Sequence, residues 1–217
     1  MLRTLSLLFV FLFLASCGKS GGGSSSSGTG AASTNGETVS LEEISPENVV
    51  PSAALNFNVD LKMNGFDADH EDKVLEAAEL IKKVVATEEF KNAILNHTYK
   101  GKKTFVDNGG LSNAKIYKKI LEGSEKLNPG KDNTMNLTLV SYFESENTVG
   151  YTYPSVMKVW MNRKYLNQYA PARITTNMMH EWLHKVGFKH DVKKTPNRKY
   201  SVPYAVGYLV SDLAKKM

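Results

Sequence analysis

Cysteine is nearly absent from this chain of 217 residues, which has one, Cys17. A single thiol excludes an internal disulfide, so the folded part must be held together by its core and by any metal it binds. The same shortage excludes a structural zinc site closed by thiolate ligands.

Long apolar runs are lacking as well. The most apolar stretch, residues 5–14, is shorter than the roughly 20 residues that a transmembrane helix needs. A positive charge, Arg3, precedes it and small residues follow it. This layout predicts a secretory signal peptide over residues 1–16.

The residues that follow the apolar stretch, Leu14-Ala15-Ser16-Cys17, resemble the bacterial lipoprotein signal, or lipobox. The resemblance implies cleavage before Cys17, acylation of its sulfur and attachment to a membrane. By analogy with the sorting of known lipoproteins, a residue other than aspartate after the cysteine directs the protein to the outer membrane. Gly18 therefore implies the outer membrane of the cell envelope, with the folded domain outside the cytoplasm. The alternative is an ordinary signal peptide followed by a chance cysteine.

Beyond the cysteine, the composition separates a tether from a domain. Residues 17–40 are rich in glycine and serine and almost free of large apolar side chains, which predicts a flexible tether. Residues 41–217 have the length of one domain, without a second linker or an internal repeat. The net charge of +5 is mild, and no stripe of basic and aromatic residues favours nucleic acid as a partner.

Apolar periodicity predicts a mixed α+β order of elements. Alternating patterns predict strands at residues 55–61, 104–106, 137–143, 149–152 and 158–161. Helical spacing and capping residues predict helices at residues 67–85 and 88–95, after Ser112, after Pro171, and at residues 204–216.

The functional signal lies in residues 180–190, HEWLHKVGFKH. His180 and His184 are four residues apart, so on a helix they share a face and can both offer a nitrogen to one metal ion. Glu181 lies one step around the helix, where it reaches a metal-bound water as a general base but is poorly placed to ligate. The other face carries apolar residues at a spacing of four, namely Ile174, Met178, Trp182 and Val186.

Gly187 predicts the end of this helix, because glycine accepts the left-handed conformation without a Cβ penalty. The chain can then turn back and present His190, six residues after His184, as a third ligand. Three protein ligands leave one tetrahedral position for water, which is typical of a catalytic zinc site.

The full pattern, H-E-x-x-H-x-x-G-x-x-H, resembles the zinc signature of the metzincin metallopeptidases at every fixed position. The resemblance implies a zincin-like fold, in which a mixed sheet accompanies the zinc-binding active-site helix. It also implies one catalytic Zn²⁺ and hydrolysis of peptide bonds in a peptide or protein substrate, with Glu181 as general base. Residues 149–154 resemble the edge-strand region beside which this family lays an extended substrate.

One segment departs from the family. Metzincins place a methionine in a tight turn beneath the zinc, and here Ser201-Val202-Pro203-Tyr204 is similar to that turn but has Pro203 in place of methionine. The similarity implies that Tyr204 stabilises the oxyanion; the alternative for Tyr204 is a packed aromatic residue.

Three other hypotheses remain open for the motif. The chain can be a surface lipoprotein that keeps the fold and binds a protein or cell-wall partner without cleaving it. The zinc can brace the fold without catalysis. The helix can simply carry three solvated histidines.

Overall fold

The computed structural model describes residues 56–217. The predicted signal peptide (residues 1–16), the predicted acylation site at Cys17 and the predicted tether (residues 17–40) lie outside the described residues, as do residues 41–55 of the predicted domain. Within the described part of the chain, no helix has the length and apolar character needed to cross a bilayer.

Residues 56–217 contain six α-helices and one 3₁₀ turn. The helices are α1 (Ala68–Val85), α2 (Glu88–Leu95), α3 (Asn113–Glu122), α4 (Arg163–Gln168), α5 (Pro171–Val186) and α6 (Val202–Ala214), and the 3₁₀ turn is Arg198–Tyr200. Asp67, Thr87 and Ser112 begin the first three, since each side chain accepts a hydrogen bond from the backbone N–H three residues further on.

Four strands form one mixed sheet in the order β1-β2-β4-β3. The strands are β1 (Asn58–Asn64), β2 (Thr134–Tyr142), β3 (Gly150–Thr152) and β4 (Lys158–Asn162). The pairs β1–β2 and β2–β4 are parallel, whereas β3 runs antiparallel to β4 at one edge of the sheet.

The core lies between one face of this sheet and the helices. Met135, Leu137 and Leu139 of β2 are buried and alternate with half-buried residues, as expected for a strand with one face turned inward. Helix α5 packs against α1, α6 and the sheet, so the helix with the histidine motif is the central helix of the domain.

The predicted α+β class is confirmed, and the helices at residues 67–85 and 88–95 are found within a residue of their predicted bounds. The strand predicted at residues 104–106 is wrong. Val106 makes an isolated bridge, in which its backbone N–H donates to the Tyr200 carbonyl at 2.9 Å. A short apolar run does not specify which strand it pairs with, and this run pairs with the segment before α6 instead of with the sheet.

Glu125 joins the sheet to the motif helix. Its side chain is buried, with 1% exposure, and its Oε1 accepts hydrogen bonds from the Trp182 indole N–H at 2.7 Å and from the Asn136 backbone N–H at 2.9 Å. Trp182 is on α5 and Asn136 on β2, so one carboxylate fixes how the two elements sit together.

We expect Glu125→Leu to lower the free energy of unfolding by about 3 kcal/mol, because it leaves two buried N–H donors without an acceptor. Glu125→Gln should cost less, since its amide oxygen can still accept. Urea unfolding followed by tryptophan fluorescence measures both, with the exposed Glu76→Gln on α1 as the control. A loss below about 1 kcal/mol for Glu125→Leu would show that this carboxylate is not a brace.

Candidate metal centre

Helix α5 divides its surface between the core and the site. Pro171 occupies its first turn, and its apolar face is buried through Ile174, Met178, Trp182 and Val186. His180, Glu181 and His184 lie on the other side, toward the segments that come later in the chain. The burial of the apolar face therefore sets the direction in which the polar residues point.

The turn that ends α5 depends on Gly187, which has a φ of +113°. The backbone N–H groups of Gly187 and Phe188 both donate to the Leu183 carbonyl, at 3.1 and 3.0 Å, and so close the last helical turn. Phe188 is buried and anchors the chain beyond the turn. The chain then reverses and returns His190 to the histidines of α5.

The three imidazole rings converge on one point. The Nε2 atoms lie 3.1 Å apart between His180 and His190, 3.2 Å between His184 and His190, and 3.3 Å between His180 and His184. Four tetrahedral ligands at about 2.0–2.1 Å from a zinc ion lie roughly 3.3 Å from one another. The three nitrogens are therefore close enough together to bind one metal ion.

Backbone carbonyls fix the other nitrogen of two of these rings. His184 Nδ1 donates to the Phe188 carbonyl and His190 Nδ1 to the Asp191 carbonyl, each at 2.9 Å. Because a carbonyl can only accept, both Nδ1 atoms carry the proton, and in the neutral rings both Nε2 atoms present lone pairs. Two lone pairs at this distance repel each other unless a cation lies between them, which is the arrangement a metal ligand needs.

The surroundings keep these rings neutral. Burial, and then the neighbouring histidines and Arg198, hold the pKa of His180 well below its usual value. Burial lowers the pKa of His184 to about 4 and also lowers the pKa of His190. Neutral imidazole is the form that ligates metals.

Glu181 is buried beside this cluster, with 6% exposure. Within residues 56–217 its carboxylate forms no ion pair with a basic side chain. Burial raises its pKa to about 7, and Lys185, one turn further along α5, partly opposes this rise. A buried carboxylate of this kind has the properties of a general base.

A cavity of about 430 Å³ opens next to the histidines. His180, Glu181 and Asn177 line it from α5, residues 147–150 line it from the start of the edge strand, and Tyr204 lines it from α6. The cavity thus places the three predicted site elements, the histidine helix, the edge strand and the tyrosine, around one space.

The first turn of α6 packs against two of the histidines. The Tyr204 ring centroid lies 4.4 Å from that of His180 and 4.8 Å from that of His190. Because proline has no backbone N–H, the His180 ring donates the hydrogen bond to the Pro203 carbonyl. This bond opposes the lowering of the His180 pKa. Pro203, which stands where the resembling turn has a methionine, therefore contacts one of the three clustered histidines through its backbone.

The edge strand lies close against α5, and the turn that follows it is hydrogen-bonded to that helix. A Cβ on Gly150 would come within 2.5 Å of the Asn177 Oδ1, so glycine allows the strand to lie against the helix. Lys185 is buried, and its Nζ donates to the carbonyls of Tyr153 at 3.0 Å and of Val156. The β3–β4 turn is held by the helix that carries the histidines.

Two cavity residues, Arg173 and Arg198, have no signal in the sequence. The Arg198 guanidinium lies 4.7 Å from the centre of the Tyr204 ring, and its charge lowers the pKa of the three motif histidines. Arg198 belongs to a loop without periodicity, and Arg173 looks like a solvated residue of an amphipathic helix. Only the folded chain shows that both reach the site.

Comparison of the chain with models of known protein families, with curated proteins and with solved structures finds no match.

We expect the purified protein to take up one equivalent of Zn²⁺ and His190→Ala to lose most of this affinity, because one of three convergent nitrogens is removed. Binding at a hundredfold excess over Kd should stabilise the parent by about 2.7 kcal/mol, which raises its Tm. Titration calorimetry and thermal unfolding measure both effects, with His97→Gln, outside the cluster, as the control. Failure of the folded parent to take up stoichiometric metal would contradict a metal centre.

A second prediction concerns the turn. Gly187→Ala should weaken metal binding by at least about tenfold, because alanine disfavours a positive φ by roughly 1–2 kcal/mol and relieving that strain moves His190. The added Cβ would also meet the flexible end of Lys126 at 2.4 Å. Gly130→Ala is the control, since Gly130 has open space around it. Equal affinity of the two variants would show that the turn does not position His190.

Proposed function

We propose that this chain is a zinc-dependent metallopeptidase of the metzincin type, which hydrolyses peptide bonds with Glu181 as the general base. The observation that carries the proposal is the convergence of the His180, His184 and His190 Nε2 atoms within 3.3 Å, with Glu181 buried beside them. The mixed sheet with a central histidine helix agrees with the zincin-like fold that the motif implies.

The ligand set and the motif together favour zinc. Neutral imidazoles suit zinc as well as copper, iron and nickel, and the resemblance to the metzincin signature selects zinc among them; three protein ligands leave a position open for catalysis. When bound, zinc supplies Lewis acidity that polarises a carbonyl group and makes a neighbouring water easier to deprotonate.

Glu181 accepts and donates the transferred proton in this proposal. Its carboxylate borders the cavity and is free of ion pairs within the described residues, so it can accept a proton from the attacking water. It then delivers that proton to the leaving amine. Burial raises the pKa of Glu181 to about 7 in the metal-free protein, which favours release of the proton as well as its uptake.

The substrate backbone lies along β3. This strand pairs with β4 on one side, and within the described sheet its other side is the edge. An extended peptide can add there as a further strand through backbone hydrogen bonds. Because Lys185 bonds the β3–β4 turn to α5 and Gly150 lets β3 lie close to Asn177, an added peptide passes beside the histidines and Glu181.

In this proposal, Tyr204 stabilises the oxyanion. Its ring contacts both Arg198 and His180, and burial raises the pKa of its hydroxyl further above neutral pH, so the hydroxyl keeps its proton. A protonated hydroxyl can donate a hydrogen bond to the developing negative charge.

The lipobox-like residues 14–17 lead us to place this activity at the bacterial cell envelope. An acylated Cys17 would anchor the chain, and residues 17–40 would tether the domain close to the membrane surface. The same placement holds for the alternative, a non-proteolytic lipoprotein that binds a protein or cell-wall partner. Pro203, in place of the family methionine, is the feature that favours this alternative.

We expect Glu181→Gln to retain zinc and to lower kcat by at least about a hundredfold, because general-base catalysis contributes roughly 10²–10⁴ in rate. Quenched peptide libraries report the turnover, and elemental analysis reports the metal. Glu76→Gln, on the exposed surface of α1, is the matched control. A zinc-loaded parent that cleaves nothing in the library would favour the binding alternative, and unchanged turnover in Glu181→Gln would remove Glu181 as the base.

A further inference from the structure

Two guanidinium groups enter the cavity beside the histidines from different elements. Arg173 lies on α5, seven residues before His180, and Arg198 lies on the 3₁₀ turn that precedes α6. Seven helical residues correspond to about 10 Å, so Arg173 marks the far end of the cavity and Arg198 the end nearer to the histidines.

Neither arginine is neutralised by a carboxylate in the described part of the chain. The five ion pairs within residues 56–217 all use lysine or histidine as the cation. Arg198 rests on the Tyr204 ring and hydrogen-bonds its hydroxyl, while its buried Nε has no hydrogen-bond partner. Arg173 lies 5.4 Å from the centre of the Tyr169 ring. Two aromatic faces thus orient the guanidiniums and leave N–H groups free.

The charge of the cavity is unbalanced. Glu181 is the one carboxylate among its lining residues, against the two arginines. A cation on the histidines would add to the positive charge. Asp107 acts on His190 but does not line the cavity. A ligand that brings a negative charge would therefore be stabilised here, and more strongly than in water because the walls are partly desolvated.

We propose that this cavity binds a carboxylate of the substrate close to the cleaved bond, with Arg198 and Arg173 as the specificity-determining residues. This rests on the proposed peptidase function. A guanidinium fork matches a carboxylate through two parallel hydrogen bonds, which an amide of the same shape cannot reproduce. The length of about 10 Å admits roughly three extended residues, so the carboxylate can belong to an acidic side chain or to a free C-terminus.

Binding of small probes tests the site without hydrolysis. We expect N-acetyl-glutamate amide to bind the metal-free protein at least about tenfold more tightly than N-acetyl-glutamine amide, as measured by NMR titration. The same comparison of N-acetyl-alanine with its amide tests whether the site binds the carboxylate of a free C-terminus. Arg173→Met, which keeps most of the apolar stem of an exposed residue, should reduce the preference, and addition of Arg198→Met should abolish it. Arg163→Met on α4, outside the cavity, is the matched control.

Equal binding of acid and amide, or a preference that survives both substitutions, would overturn the proposal. Should Arg198→Met fail to fold, Arg173→Met alone tests the proposal, because an unchanged preference in that variant would overturn it.

Cleavage by the zinc-loaded protein separates this proposal from the peptidase function. Peptides with blocked termini and glutamate next to the cleaved bond should be cleaved at least about tenfold faster than glutamine versions, and Arg173→Glu should shift the preference toward lysine. Equal cleavage of glutamate and glutamine peptides, together with equal cleavage of peptides with a free and an amidated C-terminus, would overturn the carboxylate site and leave the peptidase standing. A carboxylate preference in binding, without cleavage of any peptide, would overturn the peptidase function and leave the carboxylate site standing.

Discussion

The structure depends on one arrangement that is unfavourable by itself: three imidazole nitrogens held 3.1–3.3 Å apart. Carbonyls at Phe188 and Asp191 fix the protons of two rings on their outer nitrogens, so the inner lone pairs face each other. Three segments must cooperate to hold this geometry, namely α5, the turn at Gly187 and the start of α6. A cation at the centre relieves the repulsion, which couples metal binding to the packing of these segments.

Helix α5 connects the core to the site. Its Trp182 is fixed by Glu125 to β2, and its Lys185 holds the β3–β4 turn. The positions of the histidines and of the edge strand are therefore set by the same buried helix. Around the histidines, positive charge from Arg198 and Arg173 exceeds the negative charge of Glu181, so the site is electrostatically suited to an acidic partner.

Local patterns allowed much of the fold to be predicted. Helices with an apolar stripe and a capping residue, such as the one begun by Asp67, follow from the sequence because their hydrogen bonds are local. The strand predicted at residues 104–106 failed because a three-residue apolar run does not say what it pairs with. The short helix α4 (Arg163–Gln168) was missed, since six residues give too little periodicity.

For the site, the candidate metal ligands, the proposed base and the turn were predictable from the sequence, because His180, Glu181, His184, Gly187 and His190 lie within eleven consecutive residues whose geometry is helical and then left-handed. The surroundings of these residues depend on the folded chain. The family resemblance named Tyr204 and residues 149–154, but their approach to α5, and the entry of Arg198 and Arg173 into the cavity, depend on packing. Long-range contacts of this kind leave no periodic trace, so charge balance and cavity shape could be read only from the folded chain.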